Sequence, residues 1–252
     1  MAQITLVEAI NLALHHEMAR DATVVTLGQD VGADGGVFRA TVGLLDKFGA
    51  ERALDTPLAE AMFAHIPGIR VVYPSSPLRA YGLLLAAIRD PDPVIFLEPT
   101  RLYRLFREDV ADGGEALPLD VSFTLREGTD VTLVTWGAMV HETLAAADAL
   151  AEEGVAAEVI DIATLKPLDM TAILESVGKT GRCVIVTEGA RTASFASEIA
   201  ANLAEDGLLT LLAPVIRITG WDTVVPLARL EKHYMPDTAR IVAAVRKTLA
   251  YS

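Results

Sequence analysis

The amino-acid sequence predicts an α/β protein of two domains, each with a mainly parallel sheet between layers of helices. In the second half of the chain, short apolar runs typical of buried strands alternate strictly with longer runs of helical periodicity. A stretch without periodicity, containing Asp, Gly and Pro, separates this half from a similar but less regular first half. With 252 residues, of which 52% are hydrophobic and 22% charged, the chain is long enough for two packed cores.

The first half begins directly with a helix. Thr5 and Glu8 have the spacing of a capping box, and apolar residues then recur on one face up to Arg20. The β-branched run 23–27 predicts a buried strand, which leads into a glycine-rich loop at 28–36. The same signals predict further elements, namely a strand at 70–73, a helix at 76–89 opened by Ser76-Pro77, a strand at 94–97 and a linker-like stretch at 107–120.

The second half predicts four strands, each followed by a helix. Gly154 and Gly178 are predicted to close the first two helices, because glycine adopts the left-handed conformation that commonly ends a helix. The predicted strands are 131–135, 157–160, 184–187 and 215–219, and the predicted helices are 140–153, 169–177, 194–204 and 237–249. We therefore expect a first domain at 1–117, a linker at 118–127 and a second domain at 128–252.

Composition and charge exclude several classes of protein. A formal charge of -13 argues against nucleic-acid binding, which normally requires a basic face. No apolar run approaches the ~18 residues of a membrane span, and no secretory leader is evident. The only cysteine, Cys183, lies in an apolar run and is predicted to be a buried strand residue, as expected in a reducing cytoplasmic setting.

Common catalytic motifs are also missing from the sequence. The glycine-rich loop has neither the G-x-G-x-x-G spacing of a dinucleotide site nor the Gly-Lys-Ser/Thr of a phosphate loop. The five histidines include no pair at the helical i, i+4 spacing of a zinc site, and no Gly-x-Ser-x-Gly elbow is present. Zinc enzymes and serine hydrolases of the elbow type are therefore disfavoured.

Two groups of carboxylates remain as candidates. Glu60 follows Thr56-Pro57 at a predicted helix start, where it is either a solvated helix residue or a carboxylate held in a cleft with a raised pKa. Asp90 and Asp92 follow a predicted helix, and carboxylate and carbonyl oxygens at a helix C-terminus suit a hard cation. The alternative for the second group is a polar turn between helix and strand.

Several segments together resemble the beta subunit of the thiamin-diphosphate-dependent decarboxylating component of 2-oxo acid dehydrogenase complexes. The resemblance covers nearly all of the chain, and Gly-Gly-Val-Phe-Arg and Phe-Leu-Glu-Pro favour the branched-chain (2-oxoisovalerate) type over the pyruvate type. The matching segments are Gly-Gln-Asp-Val at 28–31, Gly-Gly-Val-Phe-Arg-Ala-Thr-Val-Gly-Leu at 35–44, Asp-Thr-Pro-Leu-Ala-Glu at 55–60, Ala-His-Ile-Pro-Gly at 64–68, Asp-Pro-Asp-Pro-Val-Ile-Phe-Leu-Glu-Pro at 90–99, Asp-Ile-Ala-Thr-Leu-Lys-Pro-Leu-Asp at 161–169 and Val-Thr-Glu-Gly at 186–189.

The resemblance implies a transketolase-like pyrimidine-binding domain followed by a transketolase C-terminal-type domain. A glutamate in the position of Glu60 would hydrogen-bond a pyrimidine ring nitrogen of thiamin diphosphate and so help to activate the cofactor. The backbone of Leu58 would contact the same ring. Gln29 stands where the family more often has glutamate, which weakens a second acidic relay.

The resemblance also implies partners and ions. An alpha subunit would hold the diphosphate through magnesium in an alpha2beta2 heterotetramer, and a 2-oxo acid would be decarboxylated. The acyl group would then pass to the lipoyl group of an acyltransferase, whose subunit-binding domain docks on this chain. In branched-chain relatives the stretch that matches Ala87, Asp90 and Asp92 supplies part of a potassium site.

One departure from the family stands out. Between Ala61 and Met62 the family carries a strand–helix–strand core and active-site loops, and a gap of about 75 residues removes more than two βαβ units of roughly 30 residues each. Such a loss predicts unpaired strand edges and exposed apolar helix faces. Glu60-Ala61 matches the family on either side of this gap.

Three explanations of the gap are open. The cellular protein has a segment that this sequence omits, or the chain carries a true internal deletion, or it is a working minimal protein of another class. Two functional alternatives therefore accompany the dehydrogenase. One is an inactive scaffold that docks the acyltransferase through acidic surface, and the other is a beta subunit of the pyruvate or acetoin type.

Overall fold

The computed structural model describes residues 2–28, 35–36, 38–55, 64, 66–223 and 232–251. The chain divides into two compact units. The first comprises Met1–Leu119 with Thr164–Pro167, and the second comprises Asp120–Ala163 with Leu168–Ser252. The predicted two-domain α/β class is confirmed.

Among its described residues, the first unit contains three small sheets and three helices. The strands are β1 (Ala2–Ile4), β2 (Thr26–Gly28), β3 (Ala53–Asp55), β4 (Arg70–Val72), β5 (Val94–Phe96), β6 (Glu108–Val110) and β10 (Thr164–Lys166). The helices are α1 (Leu6–Arg20), α2 (Leu44–Phe48) and α3 (Pro77–Arg89), with a 3-10 turn at Thr100–Leu102.

Pairing in the first unit is divided among these sheets. Strands β2 and β3 form a parallel pair, β4 lies between antiparallel β10 and parallel β5, and β1 pairs antiparallel with β6. Within the described residues, no sheet of this unit has more than three strands, as expected if central strands are missing.

The apolar faces of α1 and α3 pack against each other, which differs from the predicted exposure of apolar helix faces. Helix α1 buries one stripe of its surface, as the helical period dictates, whereas α3 buries six consecutive residues at 80–85. The fully buried apolar side chains of the two helices include Leu6, Ile10, Ala13, Leu83 and Leu85. The two helices therefore form a core that does not depend on the sheets missing from this unit.

In the part of the second unit that the structure describes, five strands form a sheet in the order β12–β11–β8–β9–β7, and β7 alone of these runs antiparallel to its neighbour. The strands are β7 (Phe123–Arg126), β8 (Val131–Thr135), β9 (Ala157–Asp161), β11 (Cys183–Val186) and β12 (Ile216–Ile218). The helices are α4 (Met139–Glu152), α5 (Met170–Thr180), α6 (Phe195–Asp206) and α7 (Thr238–Leu249), with a 3-10 turn at Leu208–Thr210.

Two helix ends predicted from sequence have different outcomes. The capping box at α1 is confirmed, because the Thr5 backbone N–H donates to Glu8 Oε2 (2.7 Å) and the Glu8 N–H donates to Thr5 Oγ1 (3.4 Å). The predicted closure of α5 at Gly178 is wrong. The helix continues to Thr180, and Gly181, at φ +68°, ends it by donating its N–H to the Val177 carbonyl.

Short strands interrupt the stretches predicted to be unstructured. Ala2–Ile4 forms β1 before the first helix, and its partner β6 lies inside the stretch 107–120. The predicted linker 118–127 also differs from the structure, because Phe123–Arg126 is β7 and pairs with β9, so the second unit begins at Asp120. In the part of the chain that the structure describes, no helix is long and apolar enough to cross a membrane.

Candidate cofactor site

The parallel strands β2 and β3 form a small sheet, and the residues predicted to contact the cofactor follow the ends of these two strands. Thr26 lies opposite Ala53 and Gly28 lies opposite Asp55, so both strands end at the same edge. The residue after β2 and the segment after β3 therefore start from adjacent positions. In open α/β folds, ligands bind at this carboxyl edge of parallel strands.

Arg52 anchors this strand pair to α1. Its guanidinium donates to the carbonyl oxygens of Met18 (2.9 Å), Asp21 (2.8 Å) and Val24 (2.8 Å). A small core of Met18, Leu44 and Ala53 lies beneath the pair. One arginine with several donors in a planar fork thus holds the segment before β2 and the start of β3 in a fixed relation.

The three residues predicted to contact the cofactor, Gln29, Leu58 and Glu60, lie outside the described residues. Gln29 comes one residue after β2, and Leu58 and Glu60 come three and five residues after β3. Their predicted roles stay predictions. The strands that precede them end at the carboxyl edge of their sheet, the edge at which open α/β folds bind ligands.

The segment 38–43, which follows the glycine-rich loop, contacts α1. The Asn11 side-chain amide donates to the carbonyl oxygens of Ala40 and Val42, each at 3.0 Å. Gly35 has φ +74°, and a Cβ there would lie 2.8 Å from Val42 Cα, so only glycine fits without displacement. The loop is therefore held by specific contacts.

The predicted potassium ligands lie near a competing cation. Asp90 Oδ1 is 3.4 Å from Arg70 Nε, and Asp92 Oδ2 is 3.7 Å from Arg70 Nη2. The guanidinium already supplies the positive charge that a potassium ion would bring, so this arrangement does not fit the ion. Among the described residues, no cluster of three or more His, Cys, Asp or Glu could hold a metal. The potassium role of Ala87, Asp90 and Asp92 stays a prediction.

A buried ion pair missed by the sequence analysis joins α1 to α3. The Glu17 side chain has no exposed surface, and Arg89 donates to its carboxylate at 2.5 Å and 3.1 Å. Arg20 donates to it from the other side at 2.8 Å. Burial alone would raise the pKa of Glu17, but the hydrogen bonds and charges of these two arginines lower it.

A second missed carboxyl, Glu98, lies just beyond the carboxyl end of β5. The Tyr103 hydroxyl donates a short hydrogen bond to Glu98 Oε2, and the Tyr103 ring packs edge-on against Phe38 with centroids 5.4 Å apart. Burial raises the pKa of Glu98, so this carboxyl is suited to hold a proton. A carboxylate directly after an apolar strand was the available sequence signal.

In the second unit, Cys183 is fully buried in β11, as predicted from the apolar run around it. Burial raises the pKa of the Cys183 thiol to about 12. A thiol of this kind is a packing residue, because the thiolate that would react is not populated near neutral pH.

Comparison with known proteins identifies the class to which this fold belongs. The transketolase pyrimidine binding domain family matches residues 2–64 and 59–105, and the transketolase C-terminal domain family matches residues 122–241. The first pair of ranges overlaps at 59–64, around the predicted gap. A solved chain described as a split gene transketolase, inactive beta4 tetramer, shares the fold at 22% identity with a TM-score of 0.80, covering 98% of this chain and 99% of its own.

Two individual relatives identify the family within this class of transketolase-like proteins. The chain is 36% identical to the pyruvate dehydrogenase E1 component subunit beta of Bacillus subtilis (strain 168), covering 100% of both chains. It is 35% identical to the 2-oxoisovalerate dehydrogenase subunit beta of the same organism, covering 98% of this chain and 99% of the relative. The chain therefore belongs to the family of thiamin-dependent 2-oxo acid dehydrogenase beta subunits.

The length of the alignment with a relative gives a size for the predicted gap. The alignment with the pyruvate dehydrogenase subunit spans 325 positions, whereas this chain has 252 residues. At least 73 positions of the alignment therefore have no residue of this chain opposite them. This number agrees in size with the gap of about 75 residues that the resemblance implies, which is more than two βαβ units.

Proposed function

We propose that this chain supplies the pyrimidine-binding half of a thiamin diphosphate site in a 2-oxo acid dehydrogenase. An alpha subunit would complete the site in an alpha2beta2 heterotetramer and would hold the diphosphate through magnesium. When bound, thiamin diphosphate supplies the chemistry by which a 2-oxo acid loses carbon dioxide. The residues of this chain would bind and orient the pyrimidine.

The observation that supports this proposal most directly is the register of β2 and β3. Gly28 and Asp55 are opposite each other at the carboxyl edge, and the candidate residues follow them within five positions. Gln29 would thus start beside the segment that carries Leu58 and Glu60. This is the position at which α/β sheets bind cofactors.

Each candidate residue has a separate role in the proposal. The Glu60 carboxyl would hydrogen-bond a ring nitrogen of the pyrimidine and control its protonation. The Leu58 backbone would fix the ring's orientation. The Gln29 side chain can donate and accept hydrogen bonds but does not ionise. It would therefore position Glu60 without acting as an acid or base itself. Potassium would bind near Ala87, Asp90 and Asp92 only if Arg70 moved away from the two carboxylates.

For the substrate we propose a branched-chain 2-oxo acid. The segments Gly-Gly-Val-Phe-Arg at 35–39 and Phe-Leu-Glu-Pro at 96–99 favour this type. Relatives named for pyruvate and for 2-oxoisovalerate have nearly equal identity to the chain, so pyruvate is the alternative substrate. The acyl product would pass to a lipoyl acyltransferase, whose subunit-binding domain would dock on the second unit.

Titration calorimetry tests the cofactor site. We expect thiamin diphosphate with magnesium to bind the chain mixed with its alpha subunit, and not the chain alone. Glu60→Gln should reduce turnover of 3-methyl-2-oxobutanoate by about 100-fold or more, because general acid–base groups contribute 10²–10⁴-fold. Glu51→Gln, at an exposed carboxylate nine residues earlier, is the matched control and should have normal turnover. Turnover unchanged by Glu60→Gln would contradict the proposed role.

The alternative function is a scaffold without catalytic activity. The 73 or more alignment positions without a residue of this chain favour it, because the resemblance implies that the family's active-site loops lie between Ala61 and Met62. A scaffold would bind the subunit-binding domain in a salt-sensitive way, since this chain carries a net charge of -13. It would show no affinity for thiamin diphosphate even with the alpha subunit present, which separates it from the dehydrogenase.

A further inference from the structure

A groove lined by cations runs along the edge of the sheet in the second unit. It lies between β12 and α7 and has a volume of about 650 Å³, a size typical of small-molecule sites. Four cationic side chains line it, namely Arg191, Arg217, Arg240 and Lys247, and we call it the cationic groove. No Asp or Glu is among its described lining residues. In a chain with a net charge of -13, this local excess of positive charge is unusual.

The four cations have no ion-pair partner within 4.0 Å in the described parts of the chain. Three of them donate instead to neutral acceptors. Arg191 donates to the Arg217 carbonyl (3.2 Å), Arg240 donates to the Thr219 carbonyl (2.7 Å), and Arg217 donates to Ser197 Oγ (2.5 Å). These hydrogen bonds orient the guanidinium groups without neutralising them, so the charge is available to an anion.

One carboxylate of the described residues, Asp222, interacts electrostatically with Arg191. Its pKa is lowered mainly by the backbone N–H of Thr192, and Arg191 contributes only a smaller part. Asp222 also accepts from the Thr192 hydroxyl at 2.8 Å. Asp222 does not line the groove and bonds mainly to Thr192, so it offsets the charge of Arg191 only in part.

The contacts at β12 favour a small ligand over an added strand. Ile216 and Ile218 pair with β11, and the Ile218 carbonyl accepts from Thr187, so the alternate residues Arg217 and Thr219 face the free edge. Their carbonyl oxygens already accept from Arg191 and Arg240, as described above. A peptide strand would need these same acceptors, whereas an anion needs the remaining guanidinium donors.

The rest of the groove suits the organic part of such an anion. Ile216, Ile218, Ala243 and Ala244 provide apolar walls, and the half-exposed Tyr251 offers a ring face at one end. Thr248 lies on the wall with only 1% of its surface exposed, and its hydroxyl has no hydrogen-bond partner in the described structure. An unpaired polar atom in a buried wall is costly unless a ligand or water satisfies it.

We propose that the cationic groove binds a nucleoside diphosphate. Two phosphate groups carry about three negative charges near neutral pH, which the four cations can match by charge-assisted hydrogen bonds. Arg240 stacks 4.7 Å from the centre of the Trp221 ring, which holds its guanidinium in place before a ligand arrives. This site lies in the second unit and does not depend on the proposed thiamin site.

Titration calorimetry of ADP into the full 252-residue chain tests the proposal. We expect ADP to bind, and inorganic phosphate to bind at least tenfold more weakly, because it engages fewer cations and no apolar wall. Lys247→Gln should weaken ADP binding by about tenfold, the ratio that corresponds to loss of one charge-assisted contact. Lys247 is exposed, so the substitution should not affect folding.

Arg246→Gln is the matched control. Arg246 precedes Lys247 in α7 and carries the same charge, but it points to Glu153 with a 2.6 Å contact and does not line the groove. We expect Arg246→Gln to change ADP affinity less than about twofold, which is the effect of a single distant charge at moderate salt. Equal weakening by both substitutions, equal affinity for ADP and inorganic phosphate, or no ADP binding at about 10 mM would each overturn the proposal.

Discussion

Replacing Arg89 with methionine tests the buried ion pair between α1 and α3. The substitution removes both hydrogen bonds from Arg89 to Glu17, and the Glu17 side chain has no exposed surface. Breaking a buried pair by removing one partner costs about 3–5 kcal/mol. Arg20 remains within 2.8 Å of the same carboxylate, so we expect the lower end, about 3 kcal/mol.

Thermal unfolding measured by calorimetry gives the result directly. A loss of about 3 kcal/mol corresponds to a fall of about 6–12 °C in the melting temperature of a protein of this size. The double variant Glu17→Met/Arg89→Met should recover most of this loss, because it leaves no unpaired carboxylate in the interior. If Arg89→Met costs less than about 1 kcal/mol, or if the double variant is as unstable as the sum of the single variants, the reasoning is refuted.

The same pair predicts a pH dependence. Arg89 and Arg20 lower the pKa of Glu17 in the folded state, so its contribution to stability is complete above the unfolded pKa of about 4.3. That contribution is lost as the pH falls through the lower, folded-state pKa. We therefore expect the stability difference between the wild-type chain and Arg89→Met to shrink as the pH is lowered from about 5 to about 3.

Three further predictions concern separate features of the structure. In urea unfolding, Gly35→Ala should destabilise the chain by about 2–3 kcal/mol and Gly49→Ala by only about 1 kcal/mol. Both glycines have positive φ, but only at Gly35 would the new Cβ collide with Val42. Equal effects would contradict the contact. Cys183 should resist a thiol reagent at pH 8 and react fully in denaturant, since burial raises its pKa to about 12; rapid labelling of the native chain would show that β11 opens. Exchanging sodium for potassium should change the melting temperature by less than about 1 °C, because Arg70 already pairs with Asp90 and Asp92. An increase specific to potassium would show that the ion displaces Arg70.

Local signals in the sequence were sufficient for the long elements. The capping box at Thr5, the Ser76-Pro77 start of α3 and the alternation of strands and helices after residue 130 each depend on neighbouring residues only. Gly178 and Gly181 show the limit of such signals. Both can close α5, and the position that adopts positive φ is set by where the chain must turn toward β11.

The elements missed by sequence analysis depend on distant partners. Strands β1, β6 and β10 have three residues each, and β1 pairs with β6 across more than 100 residues of chain. Such short segments carry no periodicity of their own, so pairing alone defines them. Glu17 was missed for a similar reason, because a charged residue within an amphipathic helix gives no sign that arginines from two positions will surround it.

The candidate site likewise has features that the sequence predicts and features that only the folded chain shows. Composition and spacing alone left Glu60 as either a solvated helix residue or a buried carboxylate, and only the resemblance to a family gave it a role. Glu98 lay within a quoted segment, but its partner Tyr103 and the burial that raises its pKa are properties of the folded chain. Sequence thus identified the family and its cofactor, whereas the electrostatic environment of each carboxyl required the structure.

Strand β10 constrains how this protein can be dissected. Its three residues pair with β4 and belong to the first unit, although the chain on both sides of them belongs to the second. A fragment that ends at residue 119 would lack the outer neighbour of β4 and expose that strand's backbone to aggregation. A fragment that starts at 120 would carry Thr164–Lys166 with no strand to pair with. Neither half of this polypeptide can therefore form its complete unit alone. An exchange of the first unit between relatives must include residues 164–167 together with residues 1–119.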